Sequence, residues 1–155
     1  MSRNANDKVI IYTDGGADPN PGAGGWGAVL LYKQACKELS GGEPHTTNNR
    51  MELIAAIRGL EALKRPCEVV VTTDSEYLRK GVTQWMPAWK RKNWRRKGGA
   101  VKNLDLWKRL DELTNRHDVE WRWVPGHSGD PLNERCDELA GEQIRRQKKK
   151  RRRRK

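Results

Sequence analysis

The stretch "IYTDGGADPNPGAGGWGAVLLY", residues 11–32, distinguishes between two folds. It joins an apolar run that ends at Asp14 to a second apolar run through a segment rich in glycine and proline. Gly22, Gly24 and Gly27 fit the spacing G-x-G-x-x-G, but a phosphate-binding loop needs its glycines to open a helix directly after the strand. Here Gly27 leads into "AVLLY", which is typical of a strand. The stretch therefore predicts a turn between two antiparallel strands.

Further along the chain, helical and strand patterns alternate. Apolar residues at helical spacing follow "TTNN" from Asn48 and stop before Pro66, which predicts a long helix. The pattern predicts α/β architecture, with a five-stranded mixed sheet of three antiparallel and two parallel strands flanked by helices. The predicted strands are Val9–Thr13, Trp26–Tyr32, Lys37–Gly41, Glu68–Thr72 and Val119–Val124, and the later helices are Ser75–Trp89 (one or two pieces), Leu104–Leu113 and Pro131–Ile144.

The net charge of +12 is concentrated in two segments. Residues 79–102 carry nine basic residues and no acid, and residues 145–155 carry ten basic residues and no acid. The remaining residues hold 13 basic against 20 acidic side chains, a net charge of −7. Two cationic segments attached to an acidic body suit a polyanionic partner and a cation-binding centre. We predict a catalytic domain over residues 1–144 and a disordered basic tail over residues 145–155.

The cellular setting is predicted from the cysteines and the hydropathy. The chain has three cysteines, an odd number, at unrelated spacings: Cys36, Cys67 and Cys136. This pattern fits neither a disulfide framework nor a zinc site. The first eight residues are polar and lack the apolar region of a secretory signal, and no apolar run reaches the length of a membrane span. We expect a cytoplasmic monomer that does not associate with membranes.

Two carboxylates follow apolar strands within the same local sequence, T-D-G/S. If the strands that precede Asp14 and Asp74 are parallel neighbours, their carboxyl ends open on the side of the sheet where such folds place ligands. Glu52 lies in the first turn of the long helix, and Asp137 borders the apolar stripe of the last helix. Several carboxylates without a zinc-type ligand cluster suit Mg²⁺, and two such ions can position a phosphodiester for hydrolysis.

Each of these residues also has an ordinary explanation when it is taken singly. An acid after a strand often caps a helix, as Asp74 could, and Glu52 could complement a helix dipole. His127 in "PGHSGDP" could be a solvated loop histidine. The tryptophans divide into two groups: we expect Trp107, Trp121 and Trp123 in the core, whereas Trp85, Trp89 and Trp94 suit either packing or nucleic-acid contact.

Seven segments of the chain occur in a characteristic order: "YTDGG", "NPGAGGWGAVL", "TTNNRMELIAAIRGLEAL", "TTDSEYL", "QWMPAWKRKNW", "VKNLDLW" and "VPGHSGDPLNERCDELA". Together they resemble a type 1 ribonuclease H of the bacterial kind, over residues 8–140. The resemblance implies an endonuclease that hydrolyses the RNA strand of RNA–DNA hybrids with two Mg²⁺ ions, for which Mn²⁺ can substitute.

The resemblance also implies which residues act. The metal-binding carboxylates would be Asp14, Glu52, Asp74 and Asp137. His127 would be the loop histidine of the family, which handles protons or assists product release. The residues that would contact the sugar-phosphate backbone, the minor groove or the DNA strand are Asn20, Thr47, Asn48, Asn49, Asn103, Trp85 and Trp89.

Two other functions remain open at this point. The first is a catalytically inactive member of the same fold that binds hybrids or structured RNA through its cationic segments. The second is a DNA-directed nuclease or transposase core on the same fold. The four carboxylates count against the first, and the asparagine set with the "GHSG" loop counts against the second.

Overall fold

The central strand of the protein, β1 (Val9–Asp18), pairs with a strand on each side. The computed structural model describes residues 8–96, 99–126 and 129–153. The other strands are β2 (Gly22–Tyr32), β3 (Ala35–Thr46), β4 (Glu68–Thr73), β5 (Arg95–Arg96), β6 (Gly99–Ala100) and β7 (Asp118–Trp123). The helices are α1 (Asn48–Glu61), α2 (Glu76–Lys80), a π-helical turn (Gly81–Trp85), α3 (Met86–Arg91), α4 (Leu104–Arg116) and α5 (Pro131–Arg153).

Five strands form the main sheet in the order β3-β2-β1-β4-β7. The short turn after Asp18 reverses the chain, so β2 runs antiparallel to β1, and β3 runs antiparallel to β2. The helical connections α1 and α2–α4 return the chain in the same direction, so β4 is parallel to β1 and β7 is parallel to β4. The predicted five-stranded mixed sheet is confirmed, and so is the turn between two antiparallel strands. The small hairpin of β5 and β6 was not predicted.

Helix α1 packs its apolar side against β1 and β2 and forms the centre of the core. The Thr47 hydroxyl caps it by accepting a hydrogen bond from the Arg50 backbone N–H at 3.2 Å. Leu53 and Leu60 are fully buried, together with Ile11 and Val71 of the sheet. Truncation of such a leucine to alanine typically costs about 2–5 kcal/mol, because the cavity it leaves fills only partly. The core therefore fixes α1, and with it Glu52, against the sheet.

Two local predictions were wrong. Strand β1 continues through Asp18, so Asp14 lies inside a strand, opposite Gly27 of β2, and not at its end. The prediction nevertheless located the right place, because the parallel pairing with β4 stops at Tyr12. Trp123 was expected in the core but is 39% exposed, because it ends the edge strand β7. Trp107 is fully buried, as predicted.

The basic segment that was predicted to be disordered continues α5 as far as Arg153. Lysine and arginine are good helix formers, and the segment contains no glycine or proline after Gly141. Gln147 is buried, and the ammonium group of Lys148 lies 2.7 Å from a carboxylate oxygen of Asp18. Tertiary contacts therefore hold this segment as a helix, and the prediction of disorder is corrected for residues 145–153.

Among the described residues, the helices are too short or too polar to cross a membrane.

Candidate active site

Three carboxylates on different elements converge at the end of the sheet where the β1–β4 pairing stops. Asp14 comes from β1, Glu52 from α1, and Asp74 from the segment after β4. One oxygen from each lies within 4.8 Å of the other two, which is close enough for a shared cation. The structure thus brings together three of the four carboxylates that the sequence predicted as metal ligands.

Gly15 explains how Glu52 reaches this position. Helix α1 crosses β1 so closely that a Cβ atom on Gly15 would lie 2.5 Å from the Met51 carbonyl carbon. The Gly15 backbone N–H donates a hydrogen bond to Glu52 Oε1 at 2.6 Å and another to Asp14 Oδ1 at 2.9 Å. The absence of a side chain at this one residue therefore permits the approach, and its N–H orients both carboxylates.

The cluster is electrostatically costly without a cation. Burial raises the pKa of Asp14 to about 7, and the negative charge of Asp74 adds to the effect. Burial also raises the pKa of Glu52 well above its ordinary value, and the neighbouring Asp14 carboxylate reinforces that rise. Buried like charges favour the protonated form unless a positive charge joins them. A bound cation would therefore relieve the repulsion.

Glu52 also provides a direct test of whether the site suits a metal ion. Its Oε2 atom is buried and has no hydrogen-bond partner among the described residues. A buried carboxylate oxygen that lacks a partner is unfavourable, and coordination to a cation is one way to satisfy it. The donor set consists of carboxylate oxygens, which Mg²⁺ and Mn²⁺ prefer. The site therefore fits a hard divalent ion.

Asp137 lies beside this cluster on α5. It lines the same cavity of about 530 Å³ as Asp14, and it is exposed there. The Asp137 carboxylate can accept a hydrogen bond from the protonated Asp14 carboxyl, and this acceptor, together with its negative charge, contributes to the raised pKa of Asp14. Asp137 is therefore next to the close trio but is more open to solvent. This arrangement leaves a solvent-accessible side on which a substrate phosphate can approach.

His127 lies outside the described residues, so its predicted role stays a prediction. Gly126, which precedes it in the sequence, lies against Asp74: a Cβ atom there would be 3.3 Å from Asp74 Oδ2. The segment that leads to His127 therefore starts at the acidic cluster.

A second cavity, of about 780 Å³, contains most of the predicted substrate contacts. Asn48 is the exception, because its side chain is used within the protein: Asn48 Oδ1 accepts a hydrogen bond from the Ala17 N–H at 2.7 Å. The backbone N–H of Asn48 donates to Asn20 Oδ1 at 3.1 Å, which ties the β1–β2 turn to the start of α1. The predicted residues that line the cavity are Asn20, Thr47, Asn49, Trp85, Trp89 and Asn103.

Tyr77 is a residue of this cavity that the sequence reasoning missed. Its hydroxyl oxygen accepts hydrogen bonds from Asn103 Nδ2 and from Trp107 Nε1, both at 3.2 Å. The Tyr77 ring also packs edge-on against Trp85, with ring centroids 5.5 Å apart. Trp85 and Trp89 are half-buried, so each packs against the core and also presents part of its ring to the cavity. The motif "TTDSEYL" contained Tyr77, but only the fold shows that it orients Asn103.

A mixed α/β sheet that clusters three carboxylates and also carries an aromatic and amide-lined cavity is typical of a metal-dependent nuclease. The family model for RNase H matches residues 6–145 of the chain. Ribonuclease H of Granulibacter bethesdensis is 60% identical over 133 residues, which cover 85% of this chain and 89% of that protein. Ribonuclease HI of Pseudomonas aeruginosa is 60% identical over 135 residues, covering 86% and 91%. The chain therefore belongs to the ribonuclease H family and is a nuclease of that family.

Solved structures agree with this assignment. LC9-RNase H1, a type 1 RNase H, superimposes with a TM-score of 0.82 at 35% identity and covers 94% of this chain and 76% of that chain. LC11-RNase H1 in complex with an RNA/DNA hybrid superimposes with a TM-score of 0.69 at 29% identity, covering 89% and 97%. The resemblance drawn from the seven sequence segments is confirmed, as is the predicted fold.

Proposed function

We propose that the chain cleaves the RNA strand of RNA–DNA hybrids endonucleolytically, with two Mg²⁺ ions held by Asp14, Glu52, Asp74 and Asp137. The observation that carries the proposal is the convergence of three carboxylate oxygens within 4.8 Å, one carboxylate of which has an unsatisfied buried oxygen. The relative that was solved with an RNA/DNA hybrid supports the choice of substrate.

The protein contributes to this chemistry mainly by preorganisation. Two bound divalent cations would activate a water molecule and stabilise the charge that develops on the phosphodiester. The Gly15 N–H holds the Glu52 and Asp14 carboxylates in place before the substrate arrives. The more exposed Asp137 leaves one side open for the scissile phosphate. Oxygen ligands of this kind also accept Mn²⁺, so we expect Mn²⁺ to substitute.

The second cavity, which Asn103 lines, supports recognition of a hybrid. The shallow minor groove of such a duplex presents 2′-hydroxyls, which can both donate and accept hydrogen bonds. Side-chain amides suit that partner, and Asn20, Asn49 and Asn103 line one cavity. The basic stretch at residues 90–97 suits the phosphates of the DNA strand, with Trp85 and Trp89 as an apolar platform beside it. Asn48 supports this surface through the turn that carries Asn20.

The cleavage assay tests the proposal directly. The protein is incubated with Mg²⁺ and one of three substrates: a hybrid, duplex DNA or duplex RNA, with each strand labelled in turn. We expect loss of the RNA strand of the hybrid alone, and we expect EDTA to abolish it. Cleavage of duplex DNA would favour a DNA-directed nuclease, and binding of the hybrid without cleavage would favour an inactive binding module.

The setting of the enzyme is part of the same proposal. All three cysteines are free, and Cys36 is exposed to solvent. Free thiols suit a reducing compartment such as the cytoplasm. We propose that the protein acts there as a monomer. Light scattering coupled to gel filtration, in reducing buffer, would measure the mass of the particle against the 17.8 kDa of one chain.

A further inference from the structure

The cationic end of α5 is a fixed part of the fold rather than a loose extension. Eight of the nine residues from 145 to 153 are lysine or arginine. Gln147 packs over β3, where a Cβ atom on Gly42 would lie 3.0 Å from Gln147 Cγ. Lys148 forms its ion pair with Asp18 at the end of β1. These two contacts fix the rotation of the helix about its axis, and so they decide which cations face the active site.

One flank of α5 connects the acidic cluster to these cations. At about 100° per residue, side chains that follow Asp137 in successive steps of three or four residues can stay on one flank, and four such positions lie within roughly 80° of Asp137 around the helix. That flank contains Asp137, Gly141, Arg145, Lys148 and Arg152. With a rise of ~1.5 Å per residue, Arg145 lies about 12 Å beyond Asp137 along the axis, and Arg152 lies about 22 Å beyond it.

Arg145 meets the active site directly. It lines the same cavity as Asp14 and Asp137, and its side chain is exposed. A polyanion that approaches these carboxylates meets negative charge, because most of the protein outside the two basic segments is acidic. A cation at the rim of that cavity would offset the repulsion and pair with a phosphate.

We propose that this flank of α5 is a second phosphate-binding surface, on which Arg145 and Arg152 contact the sugar-phosphate backbone of the bound hybrid next to the cleaved phosphate. The proposal rests on the proposed function, because it takes the cleaved phosphate to sit at the carboxylates. It is distinct from the basic stretch at residues 90–97, which precedes α4 in the chain and does not belong to α5. Lys148 has a structural role here, since Asp18 already pairs with it.

The same helix offers a matched control. Arg146 and Lys150 are also exposed, but they lie about 180° and 220° around the helix from Asp137, on the opposite flank. The double variants R145Q/R152Q and R146Q/K150Q remove the same charge from the same segment. Glutamine has nearly the helix propensity of arginine and lysine, so both variants should retain α5. Circular dichroism would check this.

Binding of a hybrid in EDTA, measured across a salt series, separates the two variants. We expect R145Q/R152Q to weaken binding on the order of 10-fold at 0.1 M salt and to reduce the log–log salt slope by about 1.5–2, the value for two lost phosphate contacts. R146Q/K150Q should change the slope by less than half as much. Equal slopes for the two variants would overturn the proposal, because nonspecific charge alone would then explain the affinity.

Steady-state cleavage kinetics provide a second test, because a general loss of stability would not raise KM while leaving kcat unchanged. In Mg²⁺, R145Q/R152Q should raise KM about 10-fold with kcat nearly unchanged, and R145K/R152K should restore KM. A fall in kcat without a change in KM would contradict a phosphate-binding role. The binding series is measured in EDTA and needs no cleavage. A protein that failed to cleave the hybrid would contradict the proposed function, but hybrid binding by R145Q/R152Q and by R146Q/K150Q could still be compared.

Discussion

Replacement of Asp14 by asparagine should abolish cleavage and, at the same time, stabilise the metal-free protein. Asparagine is almost the same size as aspartate but cannot ionise, so the packing around residue 14 is kept while one charge leaves the cluster. Glu52 and Asp74 remain, and their mutual repulsion with residue 14 disappears. A loss of activity together with a gain of stability would show that the carboxylate is kept for function and not for folding.

The size of the gain follows from the raised pKa of Asp14. The ordinary value is 3.8 and the folded value is about 7. Each unit corresponds to about 1.36 kcal/mol, so the ceiling is about 4 kcal/mol at pH values above 7. Because Glu52 shares the repulsion, we expect about half of the ceiling, ~2 kcal/mol, or roughly 4–8 °C in Tm for a chain of this size.

The sign of the pH dependence is determined by the direction of this shift. Below the unfolded pKa, Asp14 is protonated in both states and carries no penalty. Between the unfolded and the folded pKa, the unfolded chain ionises residue 14 while the native state keeps it protonated, so the native state is progressively destabilised as the pH rises towards about 7. The advantage of D14N should therefore be about a quarter of its full size at pH 4.5 and complete at pH 8.

Urea unfolding in EDTA at pH 4.5 and pH 8 measures this difference. D118N is the matched control, because Asp118 is exposed on the edge strand β7. Mg²⁺ at 100 times the Kd should stabilise the wild type by about 2.7 kcal/mol per ion, and it should stabilise D14N by less. If D14N were no more stable than the wild type at pH 8, the electrostatic argument would be wrong. If D14N retained cleavage in saturating Mg²⁺, the assigned role of Asp14 as a metal ligand would be wrong.

Three further predictions concern other parts of the molecule. H127A should lower kcat about 10-fold in a steady-state cleavage assay, far less than D14N, because positioning and electrostatics supply most of the rate; a loss as large as that of D14N would mean that the histidine is misassigned. G15A should destabilise the protein by about 1–3 kcal/mol in urea unfolding and greatly reduce cleavage. The reason is that a Cβ atom 2.5 Å from the Met51 carbonyl carbon must push α1 and Glu52 away from Asp14. G16A is the control, because a Cβ atom there would only contact Asn48 Oδ1 at 3.6 Å. Truncation after Ile144 should lower the stability by about 1 kcal/mol, since it removes buried Gln147 and the Lys148–Asp18 pair; an unchanged Tm would show that the end of α5 does not pack as described.

The sequence by itself determined the order along the chain of the main-sheet strands and helices, the turn between the first two strands and the candidate carboxylates. These features depend on local patterns: the period of the apolar residues, the cap at Thr47, and an aspartate that follows "VIIYT" or "VVVTT". Parallel neighbours bring their carboxyl ends to one edge of the sheet, so even the meeting of Asp14 and Asp74 could be predicted.

Only the tertiary structure decided how these groups are used. The raised pKa of Asp14 and the unsatisfied oxygen of Glu52 arise because α1 lies directly over Gly15, 37 residues away from Glu52 in sequence. Likewise, the composition of residues 145–153 predicts disorder, because a run of cations buries nothing by itself. Contacts with distant strands reverse that outcome: Gly42 leaves room for Gln147, and Asp18 pairs with Lys148 from 130 residues away. Local composition sets the cost of ordering a segment, but the partner that offsets the cost is supplied by a distant part of the chain.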